Sequence, residues 1–307
     1  MRAVGEVPEG AVGGTRRAPR LVTPHVLEQW PLPEPSGSKY SRGQALVVGG
    51  ARSTPGGVLL AGQSALRMGS GRLSVAVAES VARHVAVALP ECGATGLAED
   101  GRGSVTGVGA GAALARELAR ADGLLLGPGL DDADGTARLL AEVVQELPAD
   151  TPVILDAYGV TVLPDVGADT SRALRDRLVV TPNTAELAFL LGEDELDAED
   201  VVAGALEASR RFGAVVGCDT WVVADRRIWQ ITTGDTGLGT SGSGDVVAGA
   251  TLGLLSRGAT PLQALVWGKY VHAAAGDDLV MTHGRVGYLA SELAGHLPRV
   301  LRSLRGN

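Results

Sequence analysis

The run T-G-L-G-T-S-G-S-G-D, residues 236–245, packs four glycines into eight residues and ends on a single carboxylate, Asp245. Gly242, Ser243 and Gly244 can present a nest of backbone N–H groups to an anion. The small-residue stretch V-V-A-G-A that follows reads as a helix whose N-terminus favours phosphate. Asp245 in its first turn could accept a proton from a hydroxyl, or aim that hydroxyl at phosphorus. The plainer alternative is a glycine-rich turn with Asp245 as a simple N-terminal charge. The run is no Walker A loop, because no Lys precedes a Ser or Thr at the required offset. Nor is it a dinucleotide fingerprint, because no clear strand leads into a G-x-G-x-x-G.

Other residues offer weaker signals, each with a bland reading beside it. Asp156 ends V-I-L-D and could orient a hydroxyl or a magnesium-bound water, or only stabilise a turn. In T-P-N-T-A-E, Asn183 could bond a ligand or form an Asx turn, and Glu186 could hold a metal-bound water or cap its helix. Gly57 and Gly129 permit close backbone approach, as ordinary turn glycines also do. His272 falls inside an apolar helical run and reads as a packed or hydrogen-bonded structural residue. Lys269, in the same run, reads as snorkelling. Cys218 reads as a small buried residue rather than a nucleophile. Trp221 and Trp229 are expected to pack across a hairpin, with a cover over adenine as the lesser alternative.

Elements must bring these residues together. A-L-V-V-G-G (45–50) reads as a strand, 56–68 as a helix, 73–77 as a strand, and 124–126 as a buried strand ending in G-P-G-L. V-I-L-D and L-V-V-T-P-N are further strands. A-V-V-G-C-D-T-W-V-V-A-D-R-R-I-W-Q-I reads as a strand followed by a hairpin turning at 225–227. A helix from about 245 to 255 follows the glycine run, and a long apolar helix starts with Thr260 as N-cap and Pro261 at N1. Strands alternating with helices imply βαβ units and a mostly parallel sheet covered on both faces. In such a sheet ligands bind beyond the carboxyl ends of the strands, where the candidate loops all fall. The expected organisation is an extended or disordered lead-in over 1–40, one three-layer α/β domain over 41–300, and a tail at 301–307.

Composition narrows the function classes. The formal net charge of -8 disfavours a polyanionic partner, so nucleic acid is not expected. The two cysteines, Cys92 and Cys218, make no disulfide framework, and no metal-type Cys/His spacing is present. No apolar run reaches membrane-spanning length, and the first twenty residues lack a signal-peptide core, so a cytoplasmic protein is expected.

The ordered set A-L-V-V-G-G, L-A-G-Q-S-A-L-R-M-G-S-G-R-L-S-V-A, L-L-L-G-P-G-L, V-I-L-D-A, T-P-N-T-A-E-L-A-F-L-L-G and G-L-G-T-S-G-S-G-D-V-V-A-G resembles the ADP/ATP-dependent NAD(P)H-hydrate dehydratase family of the ribokinase-like superfamily. The resemblance covers about residues 40 to 300. It implies a ribokinase-like fold and a repair reaction in which the hydrate hydroxyl of NADH or NADPH takes a phosphoryl group from ADP, or ATP, and phosphate then leaves. It implies Asp245 as the residue that activates the hydroxyl, and substrate contacts at Gly57, Gly129, Asn183 and Asp245. It places nucleotide contacts at Val216, Gly217, Cys218, Asp219 and Thr220 and at Gly242, Ser243 and Gly244. Mg2+ beside the nucleotide and a homo-oligomeric state are also implied.

The chain departs from the family pattern at named positions. Thr54 replaces a Tyr, Gly57 an Ala, Asn183 a His, Ala185 a Gly, Val216 a Lys and Asp235 an Asn. These departures keep two other readings open: a ligand-binding homologue without catalysis, and a ribokinase-like kinase of another small alcohol.

Overall fold

The structure is a computed structural model and describes residues 5–34 and 37–304. Ten strands build one sheet. They are β1 (Arg20–Val22), β2 (Gln44–Val48), β3 (Arg72–Ala78), β4 (Cys92–Leu97), β5 (Gly123–Leu126), β6 (Val153–Leu155), β7 (Leu178–Val180), β8 (Ala214–Cys218), β9 (Trp221–Ala224) and β10 (Arg227–Ile231). Their order is β1-β10-β9-β8-β7-β6-β5-β2-β3-β4. Neighbours run parallel except at β9, which is antiparallel to both β8 and β10.

The strands are apolar throughout because both faces are covered. Their two-residue period divides one apolar run between two cores. Val47, Leu125, Ile154, Val179 and Val215 enter one core. Leu46, Val48, Leu124, Leu126, Val180 and Val216 enter the other. Each such Val or Leu contributes roughly 1.5–3 kcal/mol by leaving water.

The first core is covered by α1 (Pro24–Glu28), α2 (Gly56–Arg67), α3 (Glu79–Ala88), α10 (Ser243–Ser256), α11 (Pro261–His283) and α12 (Ala290–Leu304). The second is covered chiefly by α4 (Ala110–Leu118), α5 (Ala133–Glu146), the short α6 (Tyr158–Thr161), α7 (Ala168–Leu174), α8 (Thr184–Leu191) and α9 (Val201–Phe212). Helix α10 lies directly against α2. A Cβ on Gly249 would sit 2.2 Å from the Ala61 carbonyl oxygen, and one on Gly253 2.4 Å from that of Ala65. Small residues at four-residue spacing on both helices thus let the backbones touch. The contact fixes the start of α10, and with it the glycine run.

Two expectations change. Residues 5–34 are no extended lead-in: β1 extends the sheet by pairing with β10, and Thr23 caps α1. Buried indole and amide donors tie this arm down. The Trp229 Nε1–H donates to the Ala11 carbonyl (2.9 Å), the Trp267 Nε1–H to that of Trp30 (2.9 Å), and the Gln263 amide to that of Pro31 (2.9 Å). The expectations of a disordered start and of a tail at 301–307 fall partly outside the described residues, while α12 continues to Leu304. Secondly, Trp221 and Trp229 do not pack on each other. They point to opposite faces, Trp229 into the first core and Trp221 against the second. The hairpin itself is present, with Asp225 (φ 45°) and Arg226 (φ 65°) supplying its left-handed turn. Among the described residues no helix is long and apolar enough to cross a membrane.

Candidate active site

The carboxyl ends of β2, β5, β6, β7 and β8 face the N-terminus of α10. Gly242 adopts φ 86° as the N-cap of α10, a left-handed conformation that only glycine takes without strain. No side chain caps the helix. Open space surrounds the Cα of Gly244. Uncapped N–H groups at the start of a fourteen-residue helix, with no side chain in front of them, suit an anion. The loop is braced from behind by His272: its Nε2 and the Ser243 Oγ lie 2.9 Å apart, both buried. Burial and the charge of Lys269 push the His272 pKa down to about 3, so the imidazole is neutral.

Asp245 stands at the first turn of α10. Burial, then the charge of Glu186, raises its pKa to about 6. Gly57, the second residue of α2, lies directly over it: a Cβ there would be 2.9 Å from Asp245 Oδ1. The glycine therefore clears space at the carboxylate. Asp156, at the end of β6, is buried and raised to about 7. Desolvation is the main cause; a 2.7 Å bond from the Thr181 hydroxyl opposes it, while the charges of Asp245 and Glu186 add to it. Glu186 is raised too, by burial. Three carboxylates thus share one poorly solvated region: Glu186 disfavours the charge on Asp245, and both disfavour the charge on Asp156.

Asn183 and Glu186 form a capping box at the start of α8. The Asn183 Oδ1 accepts from the Glu186 N–H (2.8 Å), and Glu186 Oε2 accepts from the Asn183 N–H (2.9 Å). Capping occupies one oxygen of each side chain and leaves the amide nitrogen of Asn183, a residue that lines the cleft, outside the cap. On the other flank, the loops after β2 and β5 are joined. The Gly50 N–H donates to the Pro128 carbonyl, and the Ala51 N–H and the Thr54 hydroxyl to that of Gly129, each at 2.8 Å. Gly129 has φ 68°, and a Cβ there would collide with the Thr54 carbonyl at 2.1 Å. Gly129 therefore shapes this flank.

A cleft of about 640 Å³ opens between the end of β8, the residues after β7, and the anion loop. Asn183, Gly217, Asp219, Thr220, Ser243 and Gly244 line it. Val216 and Cys218 do not: strand alternation turns both into the second core, where they are fully buried. Burial raises the Cys218 thiol to about 11, which suits a packing residue. The cleft also contains residues that the sequence reading gave no ligand role: Lys269, His272, Thr181 and Asp235. Arg285 binds Asp235 with two hydrogen bonds (2.9 and 2.7 Å) and, with the Thr236 N–H, holds its carboxyl well below the usual range. No signal in the sequence pairs Asp235 with a partner fifty residues on.

No group of three or more His, Cys, Asp or Glu among the described residues could cage a metal ion. The hard oxygen donors that are present suit Mg2+ held through substrate phosphates, waters and one or two carboxylates.

The sequence model of the NAD(P)H-hydrate dehydratase family matches residues 45–299. The chain is 39% identical over 290 residues to the ADP-dependent (S)-NAD(P)H-hydrate dehydratase of Xanthomonas campestris, covering 93% of this chain and 97% of that protein. It is 34% identical over 283 residues to the bifunctional NAD(P)H-hydrate repair enzyme of Moorella thermoacetica, covering 90% of this chain; it spans about half the length of that relative, 52%. A solved structure of the ADP/ATP-dependent NAD(P)H-hydrate dehydratase from Bacillus subtilis, co-crystallised with ATP/Mg2+, superimposes with a TM-score of 0.72 at 26% identity. It covers 93% of this chain and 98% of that one.

Proposed function

The chain belongs to the NAD(P)H-hydrate dehydratase family, with its three-layer ribokinase-like fold, and we propose that it restores NADH or NADPH from the hydrates at the expense of ADP. The observation that carries the reading is the position of Asp245. It follows Gly244, which lines the 640 Å³ cleft at the open start of α10, and its carboxylate lies against the Gly57 backbone.

In this reading the cleft takes the nucleotide, and the hydrate approaches from the side of Gly57 and Gly129. Asp245 accepts the proton of the hydrate hydroxyl as its oxygen attacks the terminal phosphorus of ADP, and AMP departs. The N–H groups around Gly244 hold the charge that builds on the transferred phosphoryl oxygens. The ring-nitrogen lone pair then expels phosphate, and loss of a proton from the neighbouring carbon restores the double bond. Hydroxide is a poor leaving group and phosphate a good one, which is why a nucleotide is spent. Mg2+, when bound, would offset phosphate charge; Asp219, which lines the cleft, or Glu186, whose second oxygen the cap leaves free, would hold its waters. Asn183 supplies an amide to the cleft in place of a titratable imidazole. We also propose that the protein acts in the cytoplasm as a homo-oligomer. The exposed Met281, Val286 and Leu289 around the start of α12 support the assembly.

The test mixes the purified protein with NADH hydrate or NADPH hydrate, Mg2+ and either ADP or ATP. Return of nicotinamide absorbance is expected, with stoichiometric phosphate and AMP when ADP is spent, or phosphate and ADP when ATP is. Tight nucleotide binding without turnover of either hydrate would instead mark a binding homologue. A stable phosphorylated product from another alcohol would mark a kinase.

A further inference from the structure

Lys269 is the one lysine, and no arginine stands beside it, among the described residues that line the 640 Å³ cleft. Strand β8 supplies none, since Val216 is turned into the core. The lysine arrives from α11. Its stem lies flat beneath β8: a Cβ on Gly217 would be 3.2 Å from Lys269 Cδ and 3.0 Å from Leu265 Cδ2. The missing side chain at Gly217 is thus what gives the stem its passage. One helical turn on, and on the same face of α11, His272 holds Ser243 of the anion loop. The ammonium therefore belongs to the space between the end of β8 and the start of α10.

Among the described residues no carboxylate comes within ion-pair distance of Lys269 and no hydrogen bond holds it. Asp219 and the Cys218 thiol are its electrostatic neighbours. Burial pulls its pKa below the ordinary lysine value. A desolvated cation without a counter-ion is costly in a folded protein. The half-buried stem carries the ammonium to a cleft that Ser243 and Gly244 of the uncapped helix start also line.

We propose that Lys269 is the phosphate-binding cation of the nucleotide site, pairing with the diphosphate of ADP across the cleft from the Gly244 loop. The inference rests on the reading of this cleft as the nucleotide site. It adds a specificity role: an ammonium facing the diphosphate separates ADP and ATP from adenosine, which carries no charge for it to bind. Gly217 becomes the residue that makes the role possible, by leaving room for the stem.

Titration calorimetry with ADP and with adenosine, in the presence of Mg2+, tests this apart from any turnover. Lys269→Met keeps the stem and removes the charge. Its Kd for ADP is expected to rise by roughly 10-fold to 100-fold, with that for adenosine nearly unchanged. Its melting temperature without ligand should equal or exceed that of the wild type, because a half-buried charge with no ion pair has been removed. Lys269→Gln should show the same loss for ADP. An unaltered ADP Kd in Lys269→Met, with the wild type binding ADP, overturns the proposal and leaves the nucleotide site standing. Equal losses for ADP and adenosine with a lowered melting temperature, or failure of both variants to fold, make Lys269 a structural residue and overturn it too. A wild type that binds neither ADP nor ATP removes the nucleotide site and the proposal together.

Discussion

The anion loop and the wall of the cleft after β7 keep their shapes by different means. The loop is built from backbone: Gly242 at φ 86°, the bare Gly244, and α10 pressed onto α2 through Gly249 and Gly253. The wall is built from side chains: the reciprocal Asn183–Glu186 cap and, nearby, the Asp235–Arg285 pair. At Gly242, Gly249 and Gly253 this geometry depends on glycine, through a left-handed φ or a backbone contact that a Cβ would break. A side-chain wall can exchange one hydrogen-bonding residue for another and keep its outline. The departures from the family pattern fall accordingly. Asn183 and Asp235 stand in the wall, while the loop and Asp245 keep the pattern.

The largest effect is expected at the loop. Asp245→Asn should lower kcat by roughly 10²-fold to 10⁴-fold if the carboxylate takes the hydroxyl proton. In the wild type, kcat should climb as pH rises through about 6, where the Asp245 carboxyl loses its proton, and level off above. The same group acts oppositely on stability. Its folded-state pKa lies above the ordinary 3.8, so folding favours the protonated form. That contribution is complete below the ordinary value and is lost as pH rises through about 6. Thermal melts should therefore show Asp245→Asn gaining on the wild type between pH 4 and pH 8. A variant with reduced turnover and no such gain would mean that Asp245 is not strained by its surroundings.

Next comes the helix contact under the loop. Gly249→Ala would set a methyl 2.2 Å from the Ala61 carbonyl oxygen, so α10 and α2 must separate. A loss of about 1–3 kcal/mol in denaturant unfolding is expected, together with weaker nucleotide binding, because α10 carries the anion loop. Unchanged stability would show that the small-residue spacing does not hold the two helices together.

The fold was legible where one strand or helix carries its own pattern. Buried apolar runs marked β2, β5 and β8, and Thr260-Pro261 marked the start of α11. β1 was not, because Arg20-Leu21-Val22 has no periodicity and gains its place only by pairing with β10, distant in sequence. β4 was silent too, since C-G-A-T-G-L looks like a turn until Cys92 pairs with Leu73. In the site, the glycine run and Asp245 could be read because backbone nests need contiguous residues. Lys269 could not: α11 is apolar nearly all round, so nothing in the helix says which lysine surroundings become a cleft. Asp156 and Thr181 likewise meet only because β6 and β7 are adjacent. Val216 and Cys218 were misplaced by treating V-G-C-D-T as a continuous ligand segment, when a strand shows the ligand only every second residue.

The smaller effects belong to the wall, and Asn183 tests its construction. Asn183→Ala removes the acceptor for the Glu186 N–H and should cost about 1 kcal/mol, as loss of an N-cap does. Asn183→Asp keeps the acceptor and adds a favourable charge at a helix N-terminus, but sets that charge beside Glu186 and the other two carboxylates. Stability alone should therefore rank asparagine and aspartate close together, with alanine below them. Turnover should rank them differently. Aspartate would raise the pKa of Asp245 further through repulsion, moving the pH profile of kcat to higher values, whereas alanine would leave its midpoint near the wild-type value. If the two substitutions moved the profile equally, the wall would be acting on Asp245 through its shape and not through its charge. The division between a backbone-built loop and an exchangeable wall would then fail at the residue where the two meet.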